Sequence, residues 1–228
     1  MIKFIKRKIE DYIKDEISRS KTYVEHPELI GYNALVRNSI IHGNVKIGEH
    51  SKIIDANISG NVEIGRWSTF NGPNSDIYAT INSVTIGNYC SIARNVSVQE
   101  YDHCTDRITS YFIHQNVFGE EYQNDITSKG EIIIENDVWV GTQSVILSGA
   151  HISNGAIIGA NSVVNSFIPP YAYAVGSPAK VVKFRFDDVM IKKLLSLQWW
   201  YWSEEKIKAN RTLFDKPLTE DTFDRITH

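Results

Sequence analysis

Two histidines near the middle of the chain are the strongest candidates for chemistry. His103 and His114 stand in a stretch that is also rich in acidic and aromatic side chains. The imidazole of histidine titrates near neutral pH, so it can take a proton from a hydroxyl or an amine in a general-base reaction. Aromatic rings beside titratable groups are typical of a binding cleft. The stretch therefore predicts a cleft in which a histidine acts as a base.

Other residues beside His103 leave alternatives open. Cys104 follows it directly, which would suit a cysteine nucleophile with a histidine base, but neighbouring residues of an extended chain point to opposite sides. We therefore do not expect a covalent cysteine mechanism. Asp106 would either orient His103 or bond a neighbouring backbone group, and His114 would either line the cleft or serve the structure.

A repeat of six residues must position this cleft. From residue 134 onward an aliphatic side chain recurs at every sixth position, and most residues four places further on are small. A helix would smear this pattern around its axis, and one long strand would make every second residue apolar. Short strands that bend and stack in coils about 4.8 Å apart bring such residues into ladders. The pattern predicts a parallel β-helix with these residues inside: Ile134, Val140, Ile146, Ile152, Ile158 and Val164.

The same period appears before the histidines. It begins near residue 35, slips by one position after Ile53 and ends at Val98, and it places Cys90 among the core residues. The stretch 99–131 then breaks the period, and a long loop inside a regular solenoid is usually functional. Apolar residues at helical spacing follow Phe186. We expect an N-terminal helical segment (1–34), a β-helix (35–184) with the loop 99–131, and a C-terminal helical extension (185–228).

The composition excludes several classes of protein. The 228 residues carry a net charge of −3 without a long basic block, which argues against a nucleic-acid partner. No apolar run approaches the ~20 residues of a membrane-spanning helix, so no span is expected. Two cysteines are too few for a disulfide scaffold, and no secretory leader is recognisable, so the cytoplasm is the expected location.

Four motifs resemble those of the hexapeptide-repeat acyltransferases. Residues 103–112, HCTDRITSYF, are similar to the histidine motif of the xenobiotic acetyltransferase subfamily, which includes chloramphenicol and streptogramin O-acetyltransferases; the proline usual before Phe112 is absent. Residues 136–141 resemble the motif that opens a coil, and residues 168–180 resemble the exit from the β-helix. Residues 194–207 resemble the C-terminal helix, with Tyr201 and Ser203 replacing the usual acid and proline. The fold implied is mainly β, a left-handed parallel β-helix with an extruded loop and terminal α-helices.

The resemblance also implies a reaction and an assembly. Family members form homotrimers with active sites at subunit interfaces, and they transfer an acetyl group directly from acetyl-CoA without a metal. His103 would then be the general base, and Asp106 is a second catalytic candidate. Acceptor contacts are expected at four loop residues: Tyr101, Tyr111, Phe112 and His114. Small residues of a coil edge would let coenzyme A approach, and basic residues near the exit would meet its phosphates; the candidates are Trp139, Gly141, Thr142, Ala160, Asn161, Ser177, Lys180, Lys183 and Arg185.

Several functions are compatible with these residues. We expect O-acetylation of a sugar hydroxyl on a cell-surface polysaccharide or its precursor. The alternatives are O-acetylation of chloramphenicol or a streptogramin and N-acetylation of a nucleotide-linked amino sugar. A zinc enzyme of the same fold would need closely spaced histidines, which the sequence lacks. A catalytically silent scaffold is the remaining alternative.

Overall fold

The computed structural model describes residues 21–223. Most of the N-terminal helical segment expected from the sequence lies outside the described residues. The strands are β1 (Tyr23–Val24), β2 (Leu35–Arg37), β3 (Ile40–His42), β4 (Val45–Ile47), β5 (Lys52–Ile64), β6 (Thr69–Ile86), β7 (Ser91–Ile92), β8 (Ser97–Gln99), β9 (Asp102–His103), β10 (Ile126–Thr127), β11 (Ile132–Ile134), β12 (Trp139–Val140), β13 (Val145–Leu147), β14 (His151–Ile152), β15 (Ile157–Ile158), β16 (Val163–Val164), β17 (Phe167–Ile168), β18 (Ala172–Gly176) and β19 (Ala179–Phe184). The α-helices are α1 (Asp188–Leu197), α2 (Glu204–Ala209), α3 (Thr212–Asp215) and α4 (Glu220–Phe223), and single 3-10 or π turns cover Pro27–Leu29, His114–Phe118, Tyr122–Asp125 and Trp199–Tyr201.

Parallel ladders of strands form the three faces of a β-helix. Face 1 contains β3, β8, β13 and β16, face 2 contains β4, β11, β14 and β17, and face 3 contains β2, β7, β12, β15 and β18. The long strands β5 and β6 turn the corners and contribute to all three faces. Ile133 pairs with His151 and Val145 with Val163, so one coil takes eighteen residues, or three hexapeptides. The predicted parallel β-helix is confirmed.

The repeated aliphatic residues fill the interior. All six members of the C-terminal series, Ile134 to Val164, are exposed by at most 1%. The small residues at the second position, such as Ser144 and Ala150, are fully buried beside them. Cys90 is also buried, as predicted, and burial raises the pKa of its thiol to about 12. Its thiol is therefore a core group and carries no reactive charge at neutral pH.

Both ends of the β-helix differ from its middle. Tyr23 pairs with Ile40, so the first coil starts before residue 35. At the other end, β18 and β19 form an antiparallel hairpin, and the expected helices follow it. The carboxylate of Asp187 caps α1 by accepting from the Met190 N–H at 2.8 Å, and the Ser203 hydroxyl caps α2. None of the described helices is long and apolar enough to cross a membrane.

The loop 99–131 has its own small framework. Strands β9 and β10 pair antiparallel with each other and belong to a separate two-stranded sheet. The loop leaves the β-helix between β8 on face 1 and β11 on face 2, and we call that edge the loop corner. The position of His103 in β9 therefore depends on contacts inside the loop and at its root.

A glycine at the loop corner is expected to be indispensable for stacking. Gly60 has φ +105°, and a Cβ there would lie 1.6 Å from the carbonyl oxygen of Ala79 in the next coil. We expect Gly60→Ala to lower the free energy of unfolding by about 3 kcal/mol or more, because backbone must move apart. Gly119→Ala is the matched control, since Gly119 also has a positive φ but nothing lies within 4 Å of its Cβ position; it should cost about 1 to 2 kcal/mol. Urea unfolding measures both, and equal midpoints would contradict the steric argument.

Candidate active site

The ring of His103 is held by two contacts from the segment that follows it. Its Nδ1 atom lies 2.6 Å from the carbonyl oxygen of Ser110, and the ring of Phe112 packs edge-on at 4.5 Å between centroids. A carbonyl oxygen only accepts hydrogen bonds, so Nδ1 carries the hydrogen. In neutral His103 the lone pair is then on Nε2, and the side chain is exposed. This is the arrangement of a histidine that can accept a proton from a substrate.

Cys104 is directed away from this ring. It is 9% exposed whereas His103 is exposed, as expected of neighbours in a strand. Its backbone N–H donates to the carbonyl oxygen of Asp125 at 3.0 Å. On the other side of His103, the carboxylate of Asp102 accepts a hydrogen bond from the Ser148 hydroxyl at 3.3 Å and so joins β9 to the β-helix.

The other predicted loop residues occupy different surroundings. Asp106 is exposed, and within residues 21–223 no hydrogen bond joins its carboxylate to His103. Tyr101 is half-buried, and burial is the main cause of its raised pKa. Tyr111 is 58% exposed, which leaves its ring free to contact a ligand. His114 faces inward, with Nδ1 2.6 Å from the carboxylate of Asp125.

A groove runs along the edge between faces 3 and 1, which we call the groove corner. Its volume is about 650 Å³, within the range of ligand pockets. It follows the ends of strands β7, β12 and β15 in three successive coils. The lining residues are Asn71, Gly72, Ala93, Arg94, Trp139, Gly141, Thr142, Ile158, Gly159, Ala160 and Tyr173.

Four of the predicted cofactor residues line this groove directly. Trp139 is 49% exposed on its wall, and the small residues Gly141 and Ala160 leave its floor open. Thr142 lies beside them, and its hydroxyl donates to the carbonyl oxygen of Arg94 at 2.8 Å. A long ligand with amide groups could therefore approach the backbone along this edge.

The remaining predicted cofactor residues lie beyond the groove. Asn161 follows Ala160, and its N–H donates to the Thr142 carbonyl oxygen. Lys183 reaches the groove indirectly, with Nζ 5.3 Å from the ring centroid of Tyr173. Ser177 and Lys180 are exposed in the hairpin of β18 and β19. The phosphate contacts of these residues stay predictions.

Arg185 lies at another edge. Its guanidinium donates to the Gly155 carbonyl oxygen at 2.7 Å and to the Asp137 carboxylate at 3.1 Å. Burial raises the pKa of Asp137, and the charge of Arg185 opposes that rise. Asp137 and Arg185 line a cavity of about 280 Å³ under the C-terminal helices. The cavity lies at the edge between faces 2 and 3, which we call the helix corner. A phosphate contact of Arg185 also stays a prediction.

Arg94 and Tyr173 are two of the groove residues that were not predicted from the sequence. Arg94 is the charged residue of the lining, and Tyr173 closes the groove toward the hairpin. Arg94 stands two positions after Ile92, as Thr142 stands two positions after Val140, and these strands pair. The repeat could have identified Arg94, but the inserted loop separates the two coils in the sequence.

The groove and His103 lie at different corners of one chain. The groove follows face 3, and the loop follows face 1 after β8, so all of face 1 separates them.

A metal centre is not found near either site in the part of the chain that the structure describes. Within residues 21–223, no group of three or more histidine, cysteine, aspartate or glutamate side chains has the geometry of a metal site.

Comparisons with known proteins agree with the repeat. The family model "Bacterial transferase hexapeptide (six repeats)" matches residues 131–166. A probable macrolide acetyltransferase of Lysinibacillus sphaericus is 40% identical over 55% of this chain and 73% of its own length. A chloramphenicol acetyltransferase of Morganella morganii is 31% identical over 77% of this chain and 84% of its own length. Among solved structures, a mutant of AntD, an N-acyltransferase from Bacillus cereus in complex with dTDP and coenzyme A, has a TM-score of 0.60 at 21% identity over 74% of this chain and 89% of its own. That last likeness concerns the fold.

Proposed function

The chain belongs to the hexapeptide-repeat family of bacterial transferases and is an acetyl-CoA-dependent acetyltransferase, and we propose that it acetylates a hydroxyl group with His103 as the general base. The observation that carries the proposal is the contact of His103 Nδ1 with the Ser110 carbonyl oxygen. It fixes the hydrogen on Nδ1 and leaves Nε2 as a base.

The proposed transfer is direct. The acceptor hydroxyl gives its proton to Nε2 of His103 while its oxygen attacks the thioester carbonyl, so a C–O bond forms and a tetrahedral intermediate results. The C–S bond then breaks, and His103 returns the proton to the leaving thiolate of coenzyme A. No covalent enzyme intermediate is needed, in keeping with the buried side chain of Cys104.

Thr142 is the proposed donor to the developing oxyanion. The Gly141 N–H already donates to the Ile158 carbonyl oxygen at 2.8 Å. The Thr142 N–H makes no hydrogen bond with any other residue between 21 and 223, although it lies in the groove. An N–H held in place on a coil edge can stabilise the negative oxygen without further rearrangement.

A complete site would use two copies of the chain. His103 and the groove lie on opposite sides of face 1, so one copy would supply the base and the next would supply the acetyl-CoA groove. Such an interface is head-to-tail, and head-to-tail interfaces form closed rings when the rotation permits. We propose that the chain is a homotrimer with three interfacial sites.

The proposed acceptor is a hydroxyl of a sugar, on a cell-surface polysaccharide or its precursor. Hydrogen-bonding side chains stand close to His103 in the sequence and on the loop surface, notably Tyr101, Asp102 and Tyr111, and such groups suit an acceptor with many hydroxyls. The second candidate is an antibiotic hydroxyl, which the names of the macrolide and chloramphenicol acetyltransferase relatives favour. Both cysteines are free, which suits the reducing cytoplasm as the proposed place of the reaction.

An acceptor panel tests the proposed function. The purified chain, acetyl-CoA and a thiol reagent would be incubated with bacterial oligosaccharides, chloramphenicol, a macrolide or an amino sugar. We expect release of coenzyme A with a saccharide acceptor and a product that hydroxylamine cleaves, because an acetyl ester is labile and an acetamide is not. Release with an antibiotic alone would select the second candidate. Release with the amino sugar alone, giving a hydroxylamine-resistant product, would contradict O-acetylation.

A further inference from the structure

Asp125 is the most buried acid of the loop 99–131 after Glu100 at its root. It is 3% exposed, although most residues around it are exposed or half-buried. A buried carboxylate must be compensated by hydrogen bonds or opposite charge. Asp125 is not among the acceptor or cofactor residues considered above, so its burial needs another explanation.

The carboxylate of Asp125 collects three donors from one segment. It accepts from the backbone N–H of His114 at 3.2 Å and from that of Gln115 at 3.1 Å. The His114 ring adds a contact of 2.6 Å from Nδ1. Burial of the carboxylate opposes its ionisation, but these hydrogen bonds outweigh burial and lower the pKa of Asp125. The residue is therefore a carboxylate at neutral pH.

The backbone of Asp125 reaches the strand that carries the base. Its carbonyl oxygen accepts from the Cys104 N–H at 3.0 Å, and the next residue, Ile126, pairs with His103 across β9 and β10. Asp125 is thus bonded to two segments near the His103 ring. One is the strand β9, through the N–H of Cys104, and the other is residues 114–115, which follow Ser110 and Phe112 along the chain.

We propose that Asp125 is a positioning residue for the reaction, which holds the 110–115 segment against β9 so that the Ser110 carbonyl fixes the tautomer of His103. This inference rests on the proposed function, in which His103 is the base. An amide at this position has one accepting oxygen where the carboxylate has two, so one of the backbone N–H groups of His114 and Gln115 loses its acceptor and faces an NH2 group. The 110–115 segment is then held less firmly, and the Ser110 carbonyl is free to leave Nδ1. Both tautomers of His103 then become populated, and only one of them has its lone pair on Nε2.

The inference gives His114 a defined role. Its Nδ1 atom is engaged by Asp125, and its side chain is 26% exposed. The His114 ring thus adds a side-chain hydrogen bond from the start of the π turn to the Asp125 carboxylate. The expected acceptor contact of His114 would have to use Nε2 or the ring face.

The test combines kinetics with a direct observation of the tautomer. In the full-length chain, Asp125→Asn should lower kcat about 100-fold through misplacement of the base. The KM for acetyl-CoA should stay unchanged, because no residue of the loop 99–131 lines the groove. Nitrogen-15 spectra of histidine-labelled protein, with the His103 signals assigned by their loss in His103→Ala, should change from protonated Nδ1 to a mixture of tautomers. Glu121→Gln is the matched control, since Glu121 is an exposed acid of the same loop, and it should change neither quantity.

The possible outcomes separate the two proposals. A folded Asp125→Asn chain with wild-type kcat and an unchanged His103 tautomer would overturn the positioning role. If Asp125→Asn does not fold, His114→Ala removes the ring contact alone and should give the same tautomer change to a smaller degree; no change there also overturns it. Full activity of His103→Ala would refute the general base instead, and the nitrogen spectra would still report whether Asp125 fixes the ring.

Discussion

His103→Ala is expected to lower kcat for acetyl transfer by about 100- to 10,000-fold, the usual contribution of a general base. The alanine removes Nε2, and the acceptor hydroxyl must then attack without losing its proton to the protein. The loop should keep its fold, because the ring is exposed and its hydrogen bond and aromatic contact within residues 21–223 are those with Ser110 and Phe112. Steady-state release of coenzyme A with a saturating acceptor measures the loss.

The same experiment separates base catalysis from binding. The KM for acetyl-CoA should stay near the wild-type value, because His103 is not among the residues that line the groove. His26→Ala serves as the control, since His26 is exposed and contacts Glu28 near the start of the β-helix. His26→Ala should therefore leave kcat unchanged. If His103→Ala were as active as His26→Ala, the base would have to be another group.

The fold was predictable where one physical rule repeats. An aliphatic residue every six positions fixes the inward side of each short strand, so the core from Ile134 to Val164 follows from the spacing. The rule weakens where coils differ in length. Val45 pairs with Val62, and Val62 pairs with Val84, so the second pair is further apart in the sequence than the first. The difference arises because β6 carries extra residues around its corners. The slip after Ile53 records the first of these irregularities, and Asp55 there has φ +52°.

The site was predictable only in part, because the groove follows the repeat whereas the surroundings of His103 depend on contacts inside the loop. Thr142 and Ala160 occupy equivalent places in successive coils, so the period that predicts the core also predicts the groove. The hydrogen bonds of the Asp125 carboxylate join two segments of the loop that follow no repeat, so no sequence pattern predicts them. Arg185 was assigned to the cofactor by its position after the exit motif, whereas the antiparallel β19 carries it to the helix corner beside Asp137.

The aromatic C-terminus shows how packing decides between two uses of tryptophan. Trp200 and Trp202 are exposed by 1% and 8%, and their carbonyl oxygens accept from the Arg66 guanidinium on the β-helix. Apolar residues at helical spacing, as found after Phe186, are typical of a helix that packs one side against a core. These two rings therefore hold the extension in place and are not available as a sugar platform.

Mixing two inactive variants should restore activity if each site is shared between copies. His103→Ala keeps the groove. Ala160→Trp keeps the base, and its indole fills the groove, because Ala160 is an exposed residue of the groove floor. Each variant alone should be nearly inactive, the first in kcat and the second through a raised KM for acetyl-CoA. When the two are co-expressed in equal amounts and assemble at random, about a quarter of the interfaces join an intact base to an intact groove.

The recovery therefore distinguishes a shared site from a site within one chain. The interfacial site predicts about a quarter of the wild-type activity in the mixed oligomers. It predicts no activity when the separately purified variants are combined without subunit exchange. A chain that carries both substitutions, co-expressed with either single variant, is the control and should give no recovery. Co-expressed single variants that stay inactive would show that His103 and the groove act within the same copy, and the loop would then have to cross face 1 to reach it.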